Sequence, residues 1–268
     1  MLGTKVQTEE RRRKETGVQT WKIEKPESEQ KTPGKFVPTI IHSEEKYDYA
    51  TIDPMKLKLF FSDEGISMKD FVEKNKPKVA MNGGFFDIND KGYFPTGLLI
   101  SDSKLQSLPS QDIANGTDEG RAEYAQKAEK ESKWYNVFFV KENGFCNITT
   151  SNNFYGNYSP VEYAGIKFAI EAGPLLAKDG IATPEEFGQR KSAQIPLLRS
   201  AIGVRGDGAA ILFVSKEEMT YAELAHVMIT LGAKTAMSLD GGPSSAFYGK
   251  DEKSEPSFMT INSIIYAW

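Results

Sequence analysis

The chain is short of the residues from which most metal and redox sites are built. It has one cysteine, Cys146, and two histidines, His42 and His226, among 268 residues. One cysteine closes no intramolecular disulfide. Zinc sites made of four cysteines, or of two cysteines and two histidines, are excluded, and a histidine-rich metal site is not expected. Cys146 falls in the alternating stretch Phe145-Cys146-Asn147-Ile148 and reads as a small buried apolar residue rather than a nucleophile. Long apolar runs are also lacking. Ala209 to Val214 is among the longest and has only strand length, so nothing reads as a membrane span. Basic charge is not in excess either, with 33 Lys and Arg against 37 Asp and Glu. A nucleic-acid partner, which normally demands a basic footprint, is therefore not expected. The one basic run, Arg11-Arg12-Arg13-Lys14, has no apolar periodicity around it and reads as solvated tail. The N-terminus carries no secretory apolar region. That leaves a cytoplasmic protein, or a secreted or cell-envelope one whose signal was trimmed.

What is present is a globular balance of 39% hydrophobic and 26% charged residues. Residues 1–34 are polar and nearly free of aliphatic runs, as in a flexible arm. Residues 35–268 read as a single domain. Strand-like alternation opens at Lys56 to Phe61, and Ser67-Met68-Lys69-Asp70 has the form of a capping box opening a short helix. Lys78 to Met81 reads as a strand that delivers Asn82-Gly83-Gly84. Residues 118–133, rich in Glu, Lys, Ala and Gln, read as an exposed helix.

Trp134 to Val140 and Phe145 to Thr150 read as strands around the turn Glu142-Asn143-Gly144. A further strand runs from Lys167 to Glu171. Ser200 to Val204 and Ala209 to Val214 flank Arg205-Gly206-Asp207-Gly208, a hairpin turn rather than an adhesion signal. Thr220-Tyr221-Ala222-Glu223 is a second capping box. It precedes apolar residues at helical spacing, with Gly232 as the C-terminal stop and His226 off the apolar stripe. Strands at Lys234 to Leu239 and Thr260 to Ala267 complete the pattern. The fold class expected is α+β: a mixed, mostly antiparallel sheet with helices packed on it.

Four glycine-punctuated turns follow strand-like segments and carry the polar residues of interest. They are Asn82-Gly83-Gly84-Phe85-Phe86-Asp87, Glu171-Ala172-Gly173-Pro174, Arg199 to Gly203, and Asp240-Gly241-Gly242-Pro243-Ser244-Ser245. Glycines let a ligand approach the backbone and let N–H groups converge on an anion. A carboxylate at a strand end projects rigidly into a crevice. Arginine offers a planar fork to phosphate, and asparagine both donates and accepts. Asp240 also suits an Asx turn, and Glu171 also suits a buried group paired with Arg199.

Taken together, these turns resemble the phosphodiester glycosidase family. The resemblance rests on Met81-Asn82-Gly83-Gly84-Phe85-Phe86, Pro95-Thr96-Gly97-Leu98-Leu99-Ile100 and Ala172-Gly173-Pro174-Leu175-Leu176-Ala177-Lys178-Asp179-Gly180. It continues through Arg199-Ser200-Ala201-Ile202-Gly203-Val204, Met219 to Ala225 and Leu239-Asp240-Gly241-Gly242-Pro243-Ser244-Ser245, in that order over roughly residues 45–268. Glutamine often stands in the family where this chain has Glu171, and the cysteines of secreted animal members are absent.

The resemblance implies hydrolysis of a sugar C1–O–phosphate linkage in a small-molecule or glycan substrate. A phosphate monoester is a weak base, so it needs less general-acid help as a leaving group and more charge neutralisation. The candidate catalytic residues are Asp240, as principal carboxylate, with Glu171 or Asp87 assisting and Arg199 neutralising phosphate. Asn82, Gly83, Gly84, Gly173, Gly241, Gly242 and Ser244 are candidate substrate contacts. Ser244 is not a strong nucleophile candidate, because Gly-Pro-Ser-Ser is not the nucleophile elbow and neither histidine is placed as its base. No cofactor is required. Two rival readings stand beside this one. The first is a sugar- or nucleotide-phosphate binding protein without turnover. The second is a phosphodiesterase cleaving P–O, in which Asp87, Asp240 and Glu171 gather Ca²⁺ or Mg²⁺ through oxygen ligands.

Overall fold

A computed structural model describes residues 38–107, 135–158, 162–187, 194–250 and 259–268. The arm over residues 1–34 and the helix expected over 118–133 lie outside the described residues.

Three antiparallel sheets enclose one central core. The largest has seven strands, in the order Ile40–Ser43, Tyr47–Ile52, Ala210–Ser215, Ser200–Arg205, Ala233–Ser238, Leu175–Lys178, Ile181–Ala182. The second has five strands, in the order Cys146–Thr150, Asn136–Lys141, Ile166–Ala172, Leu99–Ser101, Lys104–Ser107. The third has four, in the order Phe247–Gly249, Val79–Asn82, Thr260–Ala267, Leu57–Ser67. A separate hairpin pairs Phe86–Asn89 with Gly92–Pro95. The expected α+β class with mostly antiparallel pairing is what the chain adopts; every pairing among the described strands is antiparallel.

Alternation along the strands explains the layering, because successive side chains point to opposite faces. Ile202, Val204, Leu212 and Val214 of the largest sheet point inward. They join Met81, Ile265, Phe138, Phe168 and Ile170 of the other two in the central core. Among the described residues, each sheet carries a helix on its opposite face, and Phe187 of the short helix Pro184–Phe187 adds to the cover of the largest. Ala201, Ile211 and Phe213 pack under Leu224, Ala225 and Met228 of helix Tyr221–Thr230. Val137, Phe139 and Ala169 pack under Phe154 and Tyr155 of helix Ser151–Asn157. Ala80, Ile261 and Ile264 pack under Met68, Phe71 and Val72 of helix Met68–Asn75.

The helix starts follow their sequence signals. Ser67 Oγ accepts from Asp70 N–H at 3.0 Å, and Thr220 and Glu223 form a reciprocal capping box. His226 is exposed, off the buried stripe, and Cys146 is buried. Among the described residues no helix is long and apolar enough to cross a membrane.

This layering brings strand ends from all three sheets to one place. Asn82 ends a strand of the four-stranded sheet, and Glu171 and Ala172 end one of the five-stranded sheet. Ser200 begins and Ser238 ends adjacent strands of the largest sheet.

Candidate active site

The turn after Ser238 is tied to the turn after Met81 by a two-way clamp. Asp240 N–H donates to the Gly83 carbonyl at 3.2 Å, and Asn82 Nδ2 donates to the Asp240 carbonyl at 2.7 Å. Asn82 Nδ2 also donates to the Gly83 carbonyl at 3.3 Å. Its Oδ1 accepts from Ser200 Oγ at 2.7 Å and from Ala246 N–H at 3.1 Å. A primary amide has two donor hydrogens and two acceptor lone pairs, so this side chain, only 1% exposed, is saturated inside the protein. Asn82 is therefore a clamp between sheets, in contrast to the substrate contact expected from its chemistry alone.

The glycines work the same way. Gly83 N–H donates to the Ser263 carbonyl at 2.9 Å and Gly242 N–H to the Leu198 carbonyl at 2.8 Å, while Gly241 N–H donates to Asp240 Oδ1 at 3.0 Å. Those three N–H groups do not form the anion cradle that the sequence suggested, because each is spent on an internal partner. What demands glycine here is space. A Cβ on Gly83 would lie 2.3 Å from Ser263 Oγ, and one on Gly241 would lie 2.9 Å from the Leu198 carbonyl oxygen. Gly84 backs onto the Glu171 main chain, and Gly173 is buried before a cis peptide bond to Pro174.

Asp240 is half-buried, with its main chain held from both sides. Burial pushes its carboxyl above the ordinary carboxylate value. Hydrogen bonds from the Ser244 side chain and the Gly241 N–H pull it partly back. Ser244 lies in the short 3-10 turn Gly242–Ser244, so the turn itself supplies the hydroxyl.

Glu171 is the second carboxylate brought to this region, and it is 4% exposed. Its Oε2 accepts from Leu98 N–H at 2.8 Å and from Tyr155 Oη at 2.9 Å, while Oε1 accepts from Ser151 Oγ. Gly97 is needed beside it, since a Cβ there would lie 2.9 Å from Glu171 Oε2. The Glu171–Arg199 pair considered from sequence is replaced by two separate sets of partners. Arg199, 3% exposed, donates from Nε to the Met219 carbonyl at 3.0 Å and from Nη2 to the Ile195 carbonyl at 2.8 Å. Its guanidinium carbon lies 4.0 Å from the centroid of the Tyr221 ring, and burial lowers its pKa.

Asp87 is exposed in the Phe86–Asn89 strand, and no hydrogen bond or ion pair among the described residues joins it to Asp240 or Glu171. The oxygen cluster imagined for Ca²⁺ or Mg²⁺ is not assembled. Among the described residues there is no group of three or more His, Cys, Asp or Glu side chains placed to hold a metal. The reason is topological: Asp87 is carried off on its own hairpin, and Glu171 is turned into a ring of donors.

Sequence reasoning missed Ser200, Ser263, Ser151 and Tyr155. Ser200 follows Arg199 in a motif already singled out, so adjacency was a usable signal. The Ser151 and Tyr155 link to Glu171 had none, because it depends on how a helix docks on a sheet.

Residues 75–266 match the family model of phosphodiester glycosidases. The chain belongs to the phosphodiester glycosidase family. The protein is 23% identical over 176 residues to the uncharacterized protein YigE of Escherichia coli (strain K12), covering 65% of this chain and 59% of that protein. The chain thus spans about 59% of that relative's length.

Its fold is similar to the zebrafish N-acetylglucosamine-1-phosphodiester alpha-N-acetylglucosaminidase catalytic domain auto-inhibited by its pro-peptide. That match has a TM-score of 0.63 at 14% identity, over 90% of this chain and 85% of that one. A hypothetical protein from Synechocystis is similar with a TM-score of 0.53 at 17% identity, over 85% of this chain and 61% of that one. At these identities the structural matches establish the fold.

Proposed function

We propose that the protein hydrolyses the C1–O bond between a sugar and a phosphodiester, with Asp240 as the reacting carboxylate. The observation that carries this reading is the isolation of Asp240. It is a half-buried carboxylate raised above its ordinary value, on a main chain clamped to Asn82 and Gly83 where three sheets end. A raised value makes the carboxylate a better proton acceptor, which suits a group that takes a proton from water, and a fixed main chain suits an attacking group that must be aimed.

In this reaction water oxygen becomes bonded to C1 while the C1–O bond to phosphate breaks. The phosphate monoester leaves with the bonding pair, and the proton from water passes to Asp240 or to solvent. Asp240 acts either as base on that water or as nucleophile on C1, and water then releases the sugar. Because phosphate leaves without strong protonation, a second acid is dispensable. That fits a site whose other buried carboxylate, Glu171, is already accepting from Leu98, Tyr155 and Ser151. Glu171 then shapes the site by holding the Gly97-Leu98 turn. Arg199 shapes it by fastening the segment whose Leu198 carbonyl receives Gly242 N–H. The zebrafish relative's name supports a sugar-1-phosphodiester as substrate.

The test is a panel of sugar-1-phosphodiesters and nucleotide sugars incubated with wild type and with Asp240→Asn, run in ¹⁸O-water and followed by mass spectrometry. The expected result is free sugar carrying the label, at a rate reduced at least ~10³-fold in the variant. Label in the phosphate, intact ligands throughout, or near-normal turnover by Asp240→Asn would overturn the reading.

A further inference from the structure

On the outer side of the five-stranded sheet, an open cleft of about 40 Å³ lies between that sheet and helix Ser151–Asn157. Its walls carry the amides of Asn147, Asn153 and Asn157, the hydroxyl of Thr149, and the rings of Phe145 and Tyr158. Phe139 also lines it, its ring 5.5 Å from that of Tyr158 and 6.1 Å from that of Phe145. No charged side chain lines it among the described residues. Lys141 Nζ lies 5.0 Å from the centroid of the Tyr158 ring and 5.8 Å from that of Phe145, so its charge is engaged with aromatic faces.

We infer that this cleft binds the edge of a neutral sugar ring, as a glycan site distinct from the Asp240 turn. Pyranose recognition needs planar groups that donate and accept at once for the hydroxyls, with apolar ring surface for the C–H face. Both are present, and the polar groups have hydrogen-bonding capacity to spare. Asn147 Oδ1 accepts from Ile148 N–H at 2.9 Å, and no hydrogen bond among the described residues engages its Nδ2. Asn157 Nδ2 donates to the Asn153 carbonyl at 2.7 Å and leaves its Oδ1.

The helix geometry separates this site from the other one. Ser151 and Tyr155 are one turn apart and bond Glu171. Asn153 and Asn157 are also one turn apart, and they are rotated by about 200° from the first pair at about 100° per residue. One short helix therefore serves Glu171 with one face and the cleft with the other.

The test uses the full chain and saturation-transfer NMR with maltotriose, cellotriose and N,N′,N″-triacetylchitotriose at millimolar concentrations. We expect at least one of the three to receive saturation, with Asp240→Asn binding it as wild type does. The double variant Asn147→Ala/Asn153→Ala should bind at least about ten-fold more weakly. If that variant misfolds, the exposed single substitution Asn153→Ala replaces it and should weaken binding measurably. Absence of saturation for all three sugars, unchanged affinity in the folded variant, or loss of binding in Asp240→Asn would overturn the inference. None of these results depends on hydrolysis, so failure here leaves the Asp240 reading to its own test.

Discussion

The side-chain amide of Asn82 donates to the main-chain carbonyl of Asp240 at 2.7 Å, across 158 positions of sequence. Asp240 N–H returns a bond to Gly83 at 3.2 Å. Replacing Asn82 with Ala removes every side-chain partner from the Asp240 carbonyl, Ser200 Oγ and Ala246 N–H at once. Buried polar groups left unpaired are costly, so Asn82→Ala should lose about 2–4 kcal/mol of stability. Urea denaturation measures this. A loss below about 0.5 kcal/mol would mean the clamp is not structural.

The raised carboxyl of Asp240 has a stability signature of its own. A carboxyl held above its unfolded value binds more protons folded than unfolded between the two values. Its contribution is therefore fully present below the unfolded value and lost as pH rises through the folded one. Asp240→Asn, which stays neutral, should melt above wild type at pH 7. The gain should shrink toward zero below the ordinary carboxylate value of about 3.9. Thermal melts of both proteins across that range decide the point, and a variant less stable than wild type at pH 7 would contradict it.

Ser244 offers an independent handle on the same group. Its hydrogen bond holds the Asp240 value down against burial. Ser244→Ala should therefore raise that value further and move the acid limb of the kcat/KM profile to higher pH. If Ser244 were itself the nucleophile, the variant would instead be inactive at every pH.

Gly83 is required for room rather than for its N–H. Gly83→Ala should destabilise by about 1–3 kcal/mol, because its Cβ would lie 2.3 Å from Ser263 Oγ. Adding Ser263→Ala should recover part of the loss, though not all, since Ser263 Cβ would remain at 2.9 Å. A double-mutant cycle showing no coupling would refute the steric account.

Glu171→Gln keeps the shape of the side chain and one accepting oxygen for Leu98 N–H, and the Ser151 hydroxyl can rotate to accept from the new amide. The substitution should cost under about 1.5 kcal/mol and leave measurable turnover. Glu171→Ala should unfasten the Gly97-Leu98 turn and lose both. If Glu171→Gln abolished turnover while leaving stability unchanged, Glu171 would be a reacting group instead.

Much of this protein is local and was readable from the chain alone. The N-cap at Ser67 and the capping box at Thr220 act over three residues, and the terminal strand Thr260–Ala267 lies where the sequence placed it. The exposed His226 and the buried Cys146 follow from periodicity alone. The glycine turns, taken in order, carried the family.

The turns did not reveal what their parts do, because each side chain's task depends on partners far away in sequence. Asn82 has the chemistry of a ligand contact, and only the meeting of three sheets shows it saturated by Asp240, Ser200 and Ala246. Arg199 has the chemistry of a phosphate fork, yet it is packed on Tyr221 and bonded to two carbonyls. Asp87 shares a motif with Asn82, but the hairpin Phe86–Pro95 carries it to an exposed position. Sequence by itself determined the capped helices, several of the strands and the family, because those rest on short-range hydrogen bonding and on ordered motifs. Tertiary structure alone decided which polar groups keep capacity for a ligand, because that depends on long-range pairing and burial.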